Sequence, residues 1–379
     1  MLEKLSKHRN YLHTIPELAL EEYETAQYIR ENLKKLNLEY IEVGTSTLCF
    51  IQGEENETIG YRADIDGLPL KENTNNLYRS QKKNQMHGCG HDGHMAILLT
   101  FIEEVVKEIK NGKKLKKSLL FIFQAGEESA GGARYIVKND FYKSKNLKEI
   151  YALHVYPEIN KNEFAIKKGC VSLQNINLDI RLQGKGCHGA QPHKGIDSIL
   201  IGAKLVEAYQ SLKSRNIPSN ENFILTIGSF KGGEVRNVIP EYIDILGSIR
   251  LENIELIPFV KERLEEINKG FEIAFGVKIE MEFRPFYPPV FNDEKLVEMA
   301  IKYLGDYKVY EDIPLSGSED FSFYLEDGTP GVLGLLGIKE EDNGYIYPLH
   351  NEKFDFDNSS LIPGVEFFKR ILEFRDILY

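Results

Sequence analysis

Leu119-Leu-Phe-Ile-Phe123 is a continuous apolar run that leads straight into Gln124-Ala-Gly-Glu-Glu128. A run of strand length with no polar face leaves nothing for water, so it predicts a strand covered on both sides. Ile150-Tyr-Ala-Leu-His-Val155 repeats the pattern. Between such runs the apolar spacing turns helical. A helix is expected in the N-terminal dozen residues. A second should run from about Glu21 to Leu36, with Tyr28, Ile29, Leu33 and Leu36 on one face. A third should start with Asp92 as its N-cap and reach about Ile109. Short strands are expected at Thr47–Ile51 and Thr58–Ala63. Strands alternating with helices predict an α/β domain on a twisted, largely parallel sheet.

The middle of the chain follows a different rule. Asn177–Gln183 alternates apolar and polar residues, as a half-buried strand does. After it come a helix over Ile196–Leu212, strands over Phe223–Phe230 and Tyr242–Leu251, a helix over Glu255–Phe275 and a strand over Val277–Phe283. The order βαββαβ predicts a ferredoxin-like unit. Arg284-Pro-Phe-Tyr-Pro-Pro289 leads out of it. Helices near 293–303 and 362–376 and a strand near 331–336 would rejoin the first domain. The expected organisation is therefore a catalytic domain over 1–171 and 285–379, interrupted by an inserted lid domain over 172–284.

Charge narrows the partners. Lys and Arg number 47 and Asp and Glu 58, a net charge of 47 − 58 = −11. That balance disfavours a nucleic-acid groove, which depends on cationic contacts to phosphate, and an anionic membrane surface. No apolar stretch approaches the roughly 20 residues of a membrane span, and no signal peptide is readable. A cytoplasmic protein is the expectation. The four cysteines, at 49, 89, 170 and 187, form no Cys-x-x-Cys pair and need no disulfide framework.

The densest chemistry lies in His87-Gly-Cys-Gly-His-Asp-Gly-His94. Thiolate, imidazole and carboxylate are ligands for a borderline-soft divalent ion, and Cys89 with His91, flanked by glycines, reads as a metal-binding pair. Glu127-Glu128 stands apart from Glu21-Glu22, Glu103-Glu104 and Glu265-Glu266, which are expected on helices as solvated pairs. It directly follows a buried strand, and ligands of open α/β sheets bind beyond the carboxyl ends of strands. The same rule selects Asp64, Asp66 and His154. Gly184–His193 opens a helix, and its glycines suit an anionic group. His350 alone reads as a loop histidine, and Gly232–Pro240 as structural.

Taken in order, these segments resemble the M20 metallopeptidase family, in particular its amidohydrolase branch. The matching blocks are His13–Glu17, Arg62–Pro69, His87–His94, Phe123–Glu128, Leu153–Pro157, Gly184–His193, Gly232–Pro240, Gly247–Arg250, Ser318–Phe321 and Leu349–Asn351. They depart from the family pattern in Gln124-Ala-Gly-Glu-Glu128, Gly186-Cys-His-Gly-Ala190 and Gly88. The resemblance implies two divalent ions, zinc, manganese, cobalt or nickel, held by Cys89, His91, Glu128, His154 and His350. It implies Glu127 as general base, Asp66 orienting a ligating histidine, His188 stabilising an oxyanion, and Asn237 and Arg250 holding substrate. A homodimer through the lid is a further expectation. The implied reaction is hydrolysis of an N-acyl amino acid. Cleavage of a dipeptide or an N-terminal residue is the alternative on the same fold, with a cysteine amidase using Cys89, or a purely structural metal, as more distant readings.

Overall fold

The computed structural model describes residues 1–315 and 317–379. The chain forms two compact units, Met1–Val171 with Val290–Tyr379, and Ser172–Pro289.

The first unit is built on an eight-stranded sheet. Its chain-order strands begin with β1 (Tyr40–Val43), β2 (Ser46–Ile51), β3 (Glu55–Asp64), β4 (Lys117–Gln124), β5 (Leu147–Asn160) and β6 (Glu163–Ala165). Across the sheet the order is β1, β2, β4, β3, β5, Gly331–Lys339, β6 and Lys308–Tyr310. β3, β4, β5 and Gly331–Lys339 run parallel, so their carboxyl ends lie along one edge. Asp64 pairs with Gln124 there, and Leu335 with His154. Thr58–Asp64 and Ser118–Gln124 are buried throughout, which is why neither strand alternates.

Helices cover the sheet. They include α1 (Leu2–His13), α2 (Tyr23–Lys35) and α3 (His91–Lys110). α3 is buried continuously from His91 to Ile102. Phe101 packs its ring against Tyr61 at 4.9 Å, Phe368 at 5.5 Å and Phe121 at 5.8 Å. A helix held on every side needs apolar residues all round rather than a stripe.

Two helix starts differ from the sequence expectation. α3 begins at His91, with Gly90 as the N-cap in the left-handed region at φ 85°. Asp92 instead lies inside the first turn, where its carboxylate accepts Arg9 Nε at 3.0 Å and pairs with His13 Nδ1 at 2.7 Å. Buried cationic partners thus outcompete local capping for this side chain. α2 begins at Tyr23, and Glu22 at its cap is fully buried, not solvated. Glu21 is exposed, and so are Glu265 and Glu266.

The second unit has a four-stranded antiparallel sheet ordered Phe223–Lys231, Tyr242–Leu251, Gln174–Gln183, Lys278–Pro285. Helices Ser198–Arg215 and Ile257–Phe275 supply Leu205, Tyr209, Val260 and Leu264 to a core with Ile176, Leu178, Ile180 and Leu182. This is the βαββαβ arrangement. A small ladder pairs Cys187–His188 with Val238–Ile239. The start of helix Ser198–Arg215 does not offer the anion site expected from Gly184–His193. The Asp197 carboxylate already accepts Ile199 N and Leu200 N, each at 3.1 Å, so the helix end is satisfied by the chain's own anion.

The left-handed Gly90 between Cys89 and His91 leads to a test. A Cβ at this position would lie 2.3 Å from Val155 Cγ2. Gly90→Ala should therefore lose about 1–2 kcal/mol to backbone strain and roughly 1–3 kcal/mol more to overpacking. A denaturant titration measures the loss, and a change below ~0.5 kcal/mol would mean that α3 does not depend on this turn.

Candidate metal centre

The carboxyl edge of β3, β4 and β5 gathers side chains that the sequence scatters from position 62 to position 350. Cys89 sits in the tight approach to α3, with its Sγ 3.3 Å from His350 Nε2 and 3.5 Å from His154 Nε2. His350 Nε2 is 3.4 Å from Glu128 Oε1, and His91 Nε2 is 3.9 Å from the same oxygen. The donor atoms form overlapping triplets: Cys89, His91 and His154; Cys89, Glu128 and His350; His91, Glu127 and Glu128. Within each triplet the atoms lie within 4.8 Å of one another.

Each donor is aimed by a bond made elsewhere. His91 Nδ1 faces Asp66 O at 2.9 Å and Asp66 Oδ1 at 3.2 Å, which turns Nε2 toward Glu128. The other oxygen of Asp66 accepts Glu128 N at 2.9 Å. Asp66 thus sets both a histidine ring and the backbone of the acidic pair. His154 Nδ1 donates to Val155 O at 2.7 Å, leaving Nε2 toward Cys89. His350 has φ 62°, and its N–H donates to Gly88 O at 2.8 Å. That bond fixes a loop residue against the Cys89 turn.

His94 has both ring nitrogens engaged, with Asp64 Oδ1 at 2.6 Å and as acceptor from Val155 N at 2.9 Å. It is a structural histidine, although it belongs to a close group with Asp64 and His91.

Crowded acids set the electrostatics. Burial, then the Glu319, Glu128, Asp320 and Asp66 carboxylates, push Glu127 well above the ordinary carboxyl range. Glu128 is held below it, because contacts with His350 and His91 overcome burial. Burial also acts against a charged His91, yet Asp64, Asp66 and Glu128 raise it to about 10. The Cys89 thiol is pushed well up by burial and by Glu128, Glu127 and Asp64. Burial and His94 hold His154 well down.

The donor set fits a divalent cation. His91 Nε2 and Glu128 Oε1 are buried with no hydrogen-bond partner among the described residues. Buried polar atoms normally find one. A thiol, three imidazoles and a carboxylate converging this closely match the ligand preferences of zinc and its neighbours.

Glu319 and Asp320 join the same edge. Arg62 Nη2 donates to Glu319 Oε1 and Asp320 Oδ1, both at 2.9 Å. Glu127, Glu319 and Asp320 form another close carboxylate group. His188, expected to stabilise an oxyanion, and Asn237, expected to hold substrate, come together on the second unit, where Gly189 N donates to Asn237 O at 2.8 Å. His188 is exposed, and its Nδ1 accepts Ala190 N at 3.1 Å, so its Nε2 carries the proton. Arg250 is not brought to that pair. It lies eight residues along its strand from Tyr242, opposite Asn175, which is roughly 26 Å at 3.3 Å per residue.

Known proteins place this geometry. Residues 60–373 match the model of peptidase family M20/M25/M40. An uncharacterised hydrolase from Staphylococcus aureus strain RF122 is 32% identical over 376 residues, covering 98% of each chain. The crystal structure of a protein described as a putative aminohydrolase, from methicillin-resistant Staphylococcus aureus, superposes with a TM-score of 0.88 at 31% identity, over 98% of this chain and 96% of that one. A dinuclear metal-binding M20 peptidase, YxeP of Bacillus subtilis, gives 0.82 at 26% identity, over 98% and 97%. The strand-edge cluster and the inserted ferredoxin-like unit therefore have one explanation: this chain belongs to the M20 family of hydrolases.

Proposed function

We propose that the chain hydrolyses the amide bond of N-acyl amino acids, using two divalent ions held by Cys89, His91, Glu128, His154 and His350. The observation that carries this reading is the overlap of the donor triplets at Cys89 and at His91, with Glu127 alongside. Triplets that share a donor lie close enough together to suit two ions about 3.5–4 Å apart. Bound there, the ions would supply Lewis acidity toward the amide carbonyl and water.

The chain's own groups would do the rest. Glu127, next to a ligating Glu128, is assigned the proton transfers: it removes a proton from the attacking water and delivers it to the departing nitrogen. Burial and Glu319, Glu128 and Asp320 raise its affinity for protons, and two bound cations would oppose that rise, leaving a carboxylate able to accept. Asp66 orients His91. The Nε2–H of His188 is a donor for the oxyanion, and Asn237 is assigned to hold substrate beside it. Arg250, at the far end of its strand, is assigned to substrate carboxylate only at a place distinct from that pair.

A peptidase reading on the same fold draws support from YxeP, described as a peptidase. The Staphylococcus aureus relative, higher in identity, is described as an aminohydrolase, a name that fits either amide. A nucleophilic cysteine needs a depressed thiol, whereas burial and three carboxylates raise that of Cys89.

The function is tested by reconstituting the protein with zinc, manganese, cobalt or nickel and assaying N-acetyl, N-benzoyl and N-succinyl amino acids beside dipeptides. Faster turnover of dipeptides than of every acyl amino acid would decide for the peptidase. Activity that survives chelation would remove the metal from the mechanism.

Glu127→Gln should keep its metal and its fold and lose at least ~10²-fold in turnover, the lower range of general-base effects. Retention of most activity would exclude Glu127 as the base. A second outcome concerns the thiol. Because Cys89 is held in its protonated form by burial and nearby carboxylates, metal binding must displace a proton, so affinity should rise with pH. Added metal should also slow alkylation of Cys89, and equal labelling with and without metal would argue against ligation.

A further inference from the structure

The turn that carries Glu127 and Glu128 is held through three of its backbone N–H groups by side chains from other segments. Ala125 N donates to Ser46 Oγ at 2.9 Å, Gly126 N to Glu22 Oε1 at 2.9 Å, and Glu128 N to Asp66 Oδ2 at 2.9 Å. Gly126 stands at φ 70°, and a Cβ there would come within 2.9 Å of Leu20 Cδ2. The Glu22 carboxylate also accepts Leu20 N at 2.9 Å and the Thr45 hydroxyl.

Glu22 is an unusual residue to bury. It is 0% exposed, and no ion pair among the described residues includes it. Burial raises its pKa to about 7, against hydrogen bonds that lower it. A carboxylate without a cationic partner is a costly way to fill a core position. Its three donors come from Leu20, Thr45 and Gly126, and only Gly126 belongs to the acidic turn.

We propose that Glu22 is a positioning residue: through the N–H of Gly126 it fixes the turn that aims Glu127, joining α2 and the Gly44–Ser46 turn to the reacting centre. The proposal rests on the assignment of Glu127 as base. Glu128 is pinned separately by Asp66, so loss of the Glu22 bond should release Glu127 while leaving the metal ligands in place. A displacement of about 1 Å in a reacting group can cost 10²-fold in rate.

The informative pair is Glu22→Met and Glu22→Gln. Methionine fills the volume without an acceptor, and glutamine keeps an oxygen for Gly126 N. With N-acetyl-L-methionine as probe and metal-loaded protein, Glu22→Met should lower kcat by ~10–10²-fold while KM stays within about threefold. Bound cobalt and its ligand-field spectrum should be unchanged, and Glu22→Gln should restore at least half of kcat. Hydrogen exchange of the peptide spanning Gln124–Glu128 should speed up in the Met variant and not in the Gln variant. This readout needs no substrate. If the wild-type protein cleaves neither this probe nor any N-acetyl, N-benzoyl or N-succinyl amino acid while the exchange difference appears, the acyl amino acid reading fails and the positioning role stands. Wild-type kcat in Glu22→Met, equal impairment of the two variants, or exchange unaffected by either would overturn the proposal. Failure of both variants to fold would reduce Glu22 to a structural residue and overturn it equally.

Discussion

The Arg62 guanidinium lies buried among the carboxylates of Asp64, Glu319 and Asp320. It donates to Gln124 Oε1 at 2.9 Å, Asp64 Oδ2 at 2.8 Å, and Glu319 Oε1 and Asp320 Oδ1 at 2.9 Å each. Three stretches of chain, 62–64, Gln124 and 319–320, are bound by one side chain. Buried ion pairs of this kind add little net stability, because desolvation offsets their attraction. Their effect here is to fix geometry. His91, contact with His94 and then Arg62 hold Asp64 well below its ordinary pKa, despite burial. Asp64 in turn fixes His94, and Asp320 retains a raised pKa of about 8, chiefly through burial. Crowding like charges without full compensation is tolerable only where the surrounding sheet is rigid, and the continuous burial of β3 and β4 provides that rigidity.

Much of this was legible in the sequence, for a definable reason. Buried parallel strands cannot alternate, so Leu119–Phe123 and Ile150–Val155 announce themselves as apolar blocks, and the polar residues that end them mark the functional edge. Glu127, Glu128, Asp66 and His154 are found in this way. Cys89 and His91 stand out by local density. His350 does not: its place depends on a bond from its N–H to Gly88 O, a contact across more than 250 residues that leaves no local pattern. Only likeness to a family points to it. Glu319 and Asp320 follow no strand of their own, and Arg62 looks like any strand residue. Their partners lie in the third dimension.

The expectations for Asp92, a cap, and Glu22, a solvated residue, fail for one reason. Asp92 and Glu22 both occupy positions where local chemistry favours an exposed side chain at a helix start, and both are buried. Arg9 claims Asp92, and the Gly126 turn claims Glu22. Local rules assume that the side chain has water or its own backbone as the competing partner. Near a site that must be rigid, a tertiary donor replaces water, and the rule inverts.

The same reasoning separates histidines that sit side by side in the chain. His91 and His94 share one turn of α3 and lie with ring centroids 5.4 Å apart. His91 has one nitrogen taken, by Asp66, and offers the other. His94 has both taken, by Asp64 and by Val155 N, and can offer nothing. His154, 4.7 Å from His94 by ring centroid, uses Nδ1 on the carbonyl of Val155 and keeps Nε2 toward Cys89. Residue type and spacing cannot tell these three apart. What distinguishes a ligand from a strut is the number of ring nitrogens left over after the protein has used what it needs. That number is set by Asp64, Asp66 and a peptide of β5, so the strands that build the core also decide which imidazoles remain free to bind metal.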